Sequence, residues 1–128
     1  MTATPVDALK MVPGGTAITQ ANVDAWLREG VGIKALLFAG INKDRIEGHD
    51  VAVVLREMLR LYPEGLSVGV VETSDEMRIK DRFGVIVLPT LVILNRGEVL
   101  ERMPRVRNWA DYADLFTRYL GKPRTIAA

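Results

Sequence analysis

Apolar residues along this chain keep two rhythms. In the first they recur every three or four positions, the spacing of a helix with one buried face. Val51, Val54, Leu55, Met58, Leu59 and Tyr62 form the broadest such stripe, with Asp50 as its expected cap and Pro63-Glu64-Gly65 as its end. Val23, Trp26 and Leu27 share a face of an earlier helix, with Thr19 as N-cap, Ile18 and Val23 placed for a hydrophobic staple, and Gly30 as the stop. Trp109, Tyr112, Ala113, Phe116, Tyr119 and Leu120 predict a last helix, opened by Asn108 and closed by Gly121 and Pro123. Thr73 and Glu76 read as a capping box for a short helix that reaches Phe83 and halts at Gly84. Both Trp26 and Trp109 are expected in the core.

The second rhythm is the short continuous apolar run of a strand buried on both faces. Ile33 to Ala39 is one such run, and Leu66 to Glu72 is another, with Gly69 marking a close helix approach. The longest is Phe83 to Glu98, FGVIVLPTLVILNRGE, in which Val85, Ile86, Val87 and Leu91 to Leu94 suit a buried strand broken once by Pro89-Thr90. Pro89 has no backbone N–H, so it belongs at the strand's first residues or in the turn before it. An apolar residue followed by proline at the mouth of a buried strand is a candidate cis peptide. Asn95-Arg96-Gly97 then turns the chain, and Glu98 to Met103 alternates as a second strand.

The resulting order is helix, strand, helix, strand, helix, strand, strand, helix. Helices between strands imply parallel pairing with right-handed crossovers, and the last hairpin adds antiparallel strands. The expected fold class is α/β, a central mixed sheet flanked by helices. Met1 to Gly15 reads as a leader with one helical turn at Asp7 to Met11, and the tail after Gly121 as frayed.

Composition narrows the function. With 128 residues the chain is expected to form a single domain, able to bury about two-thirds of its unfolded surface. Its residues are 48% apolar and 26% charged, the profile of a globular protein. It has no cysteine, which excludes disulfides, thiolate chemistry and Cys-ligated zinc or iron–sulfur centres. A net charge of +1 argues against a general nucleic-acid footprint. The first residues carry Pro5 and Pro13 and no continuous apolar core, so no secretory signal is expected. No run is long enough to span a bilayer, so membrane insertion is not expected and the cytoplasm is the expected compartment. His49, the one histidine, stands near Glu47 and Asp50 without the ligand set a metal needs, and reads as a solvent-facing residue at a helix start. No cofactor is implied. Arg102, Arg105 and Arg107 around Pro104 read as a solvated edge that discourages strand pairing. Asp81-Arg82 reads as a surface pair.

Phe83-Gly84-Val85, then Leu88-Pro89-Thr90-Leu91, then Asn95-Arg96-Gly97-Glu98 resemble the corresponding segments of the thioredoxin fold. The likeness covers roughly residues 17–120 and implies that Leu88-Pro89 is the cis bond. The departures matter as much. Where thioredoxins carry Cys-x-x-Cys, this chain has Asn42 to His49, NKDRIEGH, and the strand that holds their buried acid reads Ala35-Leu36-Leu37-Phe38. Thiol–disulfide exchange needs a thiolate, so the sequence excludes it.

Among cysteine-free thioredoxin-like proteins, the chain resembles the HyaE/HupG/HoxO accessory proteins of uptake [NiFe] hydrogenases. The residues that carry this are Trp26-Leu27, Asp81-Arg82-Phe83-Gly84-Val85, Pro89-Thr90-Leu91-Val92 and Trp109-Ala110-Asp111. The resemblance implies a cytoplasmic, non-enzymatic chaperone that binds the hydrogenase small-subunit precursor with its twin-arginine signal peptide, alongside other hydrogenase accessory proteins. The expected groove joins Asn42–His49 to Val87–Thr90, with Leu88, Pro89 and Thr90 meeting the peptide backbone and Asp44, Glu47 or Asp50 meeting arginines. The alternative is a thioredoxin-like scaffold in another complex. A third reading, an enzyme binding a small thiol, lacks any Ser, Tyr or Cys in Asn42–His49 to activate it. An exposed hairpin strand leaves a homodimer open.

Overall fold

The computed structural model describes residues 4–30, 32–41 and 44–124. In chain order the elements are α1 (Pro5–Met11), β1 (Gly15–Ile18), α2 (Val23–Arg28), β2 (Ile33–Phe38), α3 (Asp44–Leu61), β3 (Leu66–Val71), α4 (Glu76–Ile79), β4 (Thr90–Asn95), β5 (Glu98–Pro104) and α5 (Trp109–Leu120). Single 3-10 turns, Thr73–Asp75 and Lys80–Phe83, flank α4. The strands form one five-stranded sheet in the order β1-β3-β2-β4-β5. β3 pairs in parallel with β1 and β2, whereas β4 is antiparallel to both β2 and β5.

Side-chain alternation across the sheet explains why β2 and β4 read as continuous apolar runs. Ala35, Leu37, Leu91 and Ile93 face one core with Val6, Leu9, Leu55, Met58, Tyr112 and Phe116, beneath α1, α3 and α5. Leu36, Phe38, Val92 and Leu94 face a second core with Val23, Trp26, Ile79 and Phe83, beneath α2 and α4. A strand covered on both faces has no polar side to show. On β3, a Cβ at Gly69 would stand 2.6 Å from Ile18 and 2.8 Å from Trp26, so glycine there admits α2 to the sheet. The hairpin turns on Arg96 and Gly97, with φ of 54° and 81°, the left-handed pair that fits a tight two-residue connection.

Several expectations are corrected. The segment read as a leader contains α1, whose Val6 and Leu9 are fully buried and whose cap Thr4 accepts from Asp7 N at 3.2 Å. It also opens β1, which was not foreseen. That strand is short, opens on glycine and is mostly half-buried, so it carries no alternation to detect. α2 starts at Val23, not just after Thr19: Asn22 Oδ1 accepts from Thr19 N at 2.8 Å and Thr19 Oγ1 accepts from Asn22 N at 3.2 Å, closing a turn ahead of the helix. α3 starts at Asp44, so Asp50 lies in its second turn and caps nothing.

Between Phe83 and the hairpin turn only Thr90–Asn95 is strand. Val85 is buried, but Ile86 is 87% and Val87 43% exposed. Trp26 is in the core as expected, but Trp109 is 46% exposed at the start of α5. The first residues of the tail are not frayed. Gly121 O accepts from the Tyr62 hydroxyl at 2.8 Å, and Arg124 N donates to Leu61 O at 2.9 Å.

Candidate functional site

The register brings three loops together at one end of the sheet. Phe38 pairs with Thr90, and Thr90 with Pro104. The chain leaving β2, entering β4 and leaving β5 therefore runs side by side there. The Leu88–Pro89 peptide bond is cis. Thr90 Oγ1 donates to Val87 O at 2.7 Å and closes the loop, while Pro89 O accepts from Arg105 N at 2.8 Å. Among the described residues, neither the N–H nor the C=O of Leu88 has a hydrogen-bond partner. Beside it is an open cavity of about 170 Å³, lined by Val85, Ile86, Val87, Thr90, Arg102 and Pro104. Small-molecule sites usually measure about 300–1,000 Å³, so this one suits a single aliphatic side chain.

The facing wall begins at Gly40. Its N–H donates to Glu76 Oε1 at 3.0 Å, and its carbonyl accepts from Arg45 Nη1 at 3.2 Å. Arg45 Nη1 also donates to Thr73 Oγ1 at 3.1 Å. Glu76 is only 1% exposed, and no side chain caps the turn at Thr73. The capping box is thus corrected: Glu76 is a buried acid that holds the loop after β2. Burial pushes its carboxyl above its usual value, against the pull of the Gly40 N–H and of Arg45. Sequence reasoning missed this residue, although its spacing to the buried Ile79 and Phe83 puts it on the apolar face of α4.

The acids expected to meet arginines fall in different places. Asp44 opens α3, and its side chain lies outside the described residues, as do Asn42 and Lys43. Asp50 is exposed. Glu47 is already engaged: Arg105 grips both of its oxygens, through Nε at 3.0 Å and through Nη2, and Val106 N donates at 3.3 Å. These bonds hold the Glu47 carboxyl below its usual 4.5 and tie α3 to the chain leaving β5. Arg105 sits at φ 64° to make them. A depressed carboxyl contributes above its unfolded pKa and loses that contribution as pH falls through its folded pKa. The tie is therefore expected to hold at neutral pH and to release on acidification below pH 4.5, seen as a change in the Arg105 Nε–H resonance. A resonance unmoved down to acid unfolding would count against the tie.

The basic residues near Pro104 do not form one patch. Arg102 Nε donates to Phe83 O at 2.6 Å and Arg107 Nε to Pro104 O at 3.2 Å. Asp81 and Arg82 are both exposed in the turn after α4, as expected, and Arg82 pairs with Asp24 at 2.5 Å. His49 is not a solvent residue: half-buried, its Nδ1 accepts from Val6 N at 3.4 Å and joins α3 to α1. Among the described residues, no group of three His, Cys, Asp or Glu is placed to hold a metal, and no helix is long and apolar enough to cross a membrane. A larger open groove of about 600 Å³ between α1 and α3, lined by Val53, Arg56 and Arg60, contains no nucleophile.

The sheet order, the helices on both faces and the cis-proline loop beside the start of α3 define a thioredoxin-fold protein, here one without a cysteine. Residues 9–112 match the family model described as Hydrogenase-1 expression protein HyaE. The chain is 35% identical over 114 residues to the Hydrogenase expression/formation protein HupG of Bradyrhizobium diazoefficiens, covering 87% of this chain and 77% of that one. It is 32% identical over 106 residues to HupG of Rhizobium leguminosarum bv. viciae, covering 80% and 71%. It is also 34% identical over 108 residues to the Hydrogenase expression/formation protein HoxO of Cupriavidus necator, covering 83% and 66%. The chain belongs to the HyaE family of hydrogenase expression proteins.

Proposed function

We propose that this protein is a non-catalytic chaperone in the maturation of an uptake [NiFe] hydrogenase, acting in the cytoplasm on the small-subunit precursor that carries a twin-arginine signal. Family membership supports the hydrogenase setting. The observation that carries a binding role is the strip Ile86-Val87-Leu88 before the cis bond: two exposed apolar side chains beside a backbone N–H and C=O that nothing described in the chain uses. An extended peptide laid along Leu88 would complete these hydrogen bonds as an added strand, with Pro89 and Thr90 fixing the loop's shape. Its side chains would meet Ile86 and Val87, and the cavity at Arg102 and Pro104 would take one of them.

Burying an isoleucine side chain is worth about 1.5–3 kcal/mol, or about tenfold to a hundredfold in affinity. Ile86→Lys is therefore expected to weaken binding of the precursor at least about tenfold in titration calorimetry. The fold should be unaffected, because Ile86 is already 87% exposed. Unchanged affinity would remove this strip from the contact. A protein that ignores the precursor and co-purifies with other accessory proteins would instead be a scaffold.

A further inference from the structure

Resting on that reading, we infer that the groove grips an extended apolar stretch of its peptide and does not read the arginine pair. Eight large hydrophobic residues are exposed among the described residues, and five of them, Ile41, Ile46, Ile86, Val87 and Trp109, belong to the chain leaving β2, the start of α3, the loop entering β4 and the start of α5. The first three of those segments meet at one end of the sheet through the Phe38–Thr90–Pro104 register and the bonds from Arg105 to Pro89 and Glu47, and α5 opens five residues past Pro104. Single exposed apolar residues are ordinary on a protein surface, but a gathering at one edge marks an interaction site.

Charge points the same way. Glu47, one of the acids expected to meet arginines, has both oxygens committed to Arg105 and Val106. Arg102 and Arg107 donate to the carbonyls of Phe83 and Pro104 and have no carboxylate partner within salt-bridge distance among the described residues. An arginine laid against Arg102 or Arg107 would meet like charge, which costs affinity. An apolar strand meets side chains of its own kind and the open backbone of Leu88. Export signals place an apolar segment of about 7–15 residues after their basic residues. Extended at about 3.3 Å per residue, such a segment is long enough to cross the groove.

The test is titration calorimetry on the full chain with three synthetic signal peptides of the small-subunit precursor: the parent, one with both arginines changed to glutamine, and one with alternate apolar residues changed to serine. The arginine change should alter affinity by less than about twofold, and the serine change should weaken it more than about tenfold. Glu47→Gln should cost the same factor for the parent and for the glutamine peptide, because Glu47 acts on the loop and not on the arginines. A tenfold loss on removing the arginines, or a Glu47→Gln effect that vanishes with them, would overturn the inference and leave the proposed function standing. A parent peptide and full precursor that both fail to bind would overturn the two together.

Discussion

Gly48→Ala should destabilise the protein by about 3 kcal/mol or more, at or beyond the top of the range for overpacked sites. An added Cβ would stand 2.1 Å from the Ala39 carbonyl oxygen and 2.9 Å from its carbon. Both atoms are backbone, so no rotamer relieves the contact, and α3 must lift away from the end of β2. Inside an ordinary helix the same change would stabilise by up to about 1 kcal/mol, since glycine is a poor helix former. The sign is reversed here because the helix crosses the sheet so closely. Glu47 is the preceding residue, so lifting α3 should also loosen the tie to Arg105 and the cis-proline loop. A urea midpoint equal to or above that of the parent chain would mean that α3 does not pass β2 at this distance.

The second large effect belongs to Glu76. Glu76→Ala leaves the buried Gly40 N–H without its acceptor and should cost about 1–3 kcal/mol at every pH. Glu76→Gln keeps an oxygen for that N–H, so its effect depends on the proton. Burial raises the folded carboxyl above its usual 4.5, so the native state holds this proton more tightly than the unfolded chain does. The stability that this supplies is complete below pH 4.5 and is lost as pH rises through the folded value. The parent chain should therefore lose ground to Glu76→Gln between acid and neutral pH, while Glu76→Ala stays below both. Thermal unfolding of the three proteins at pH 4 and pH 7 reads this directly. A Gln variant that parallels the parent at both pH values would show that folding does not perturb this carboxyl.

Both residues bear on the chain between β2 and the first turns of α3: Gly48 lies in it, and Glu76, which opens α4, accepts from its Gly40 N–H. Gly40 to Gly48, GINKDRIEG, is polar with no apolar period and reads as a loop, with Asp50 as the cap of the helix after it. In the fold most of it is helix, because Gly48 packs on β2 and Glu47 is held from the far side by Arg105, 58 positions away. Glu76 was disguised differently. A Thr-x-x-Glu pattern is a sound local signal for a cap, and it lost to a longer-range bond in which the buried carboxylate satisfies Gly40.

The sequence by itself determined the three long apolar stripes and runs that became α3, β2 and β4, the Asn108 cap of α5, the tight hairpin turn and the lack of any thiol. All of these follow from local physics: burial periodicity, backbone conformational preference and the presence or absence of an atom. Tertiary structure alone decided that Gly15–Ile18 would pair as an edge strand, that Ile86, Val87 and Trp109 would face outward although their chemistry favours the core, and that Glu47 would be spent inside the protein. Those outcomes depend on which distant segments meet, and a side chain's neighbours across the sheet are not encoded in the residues on either side of it.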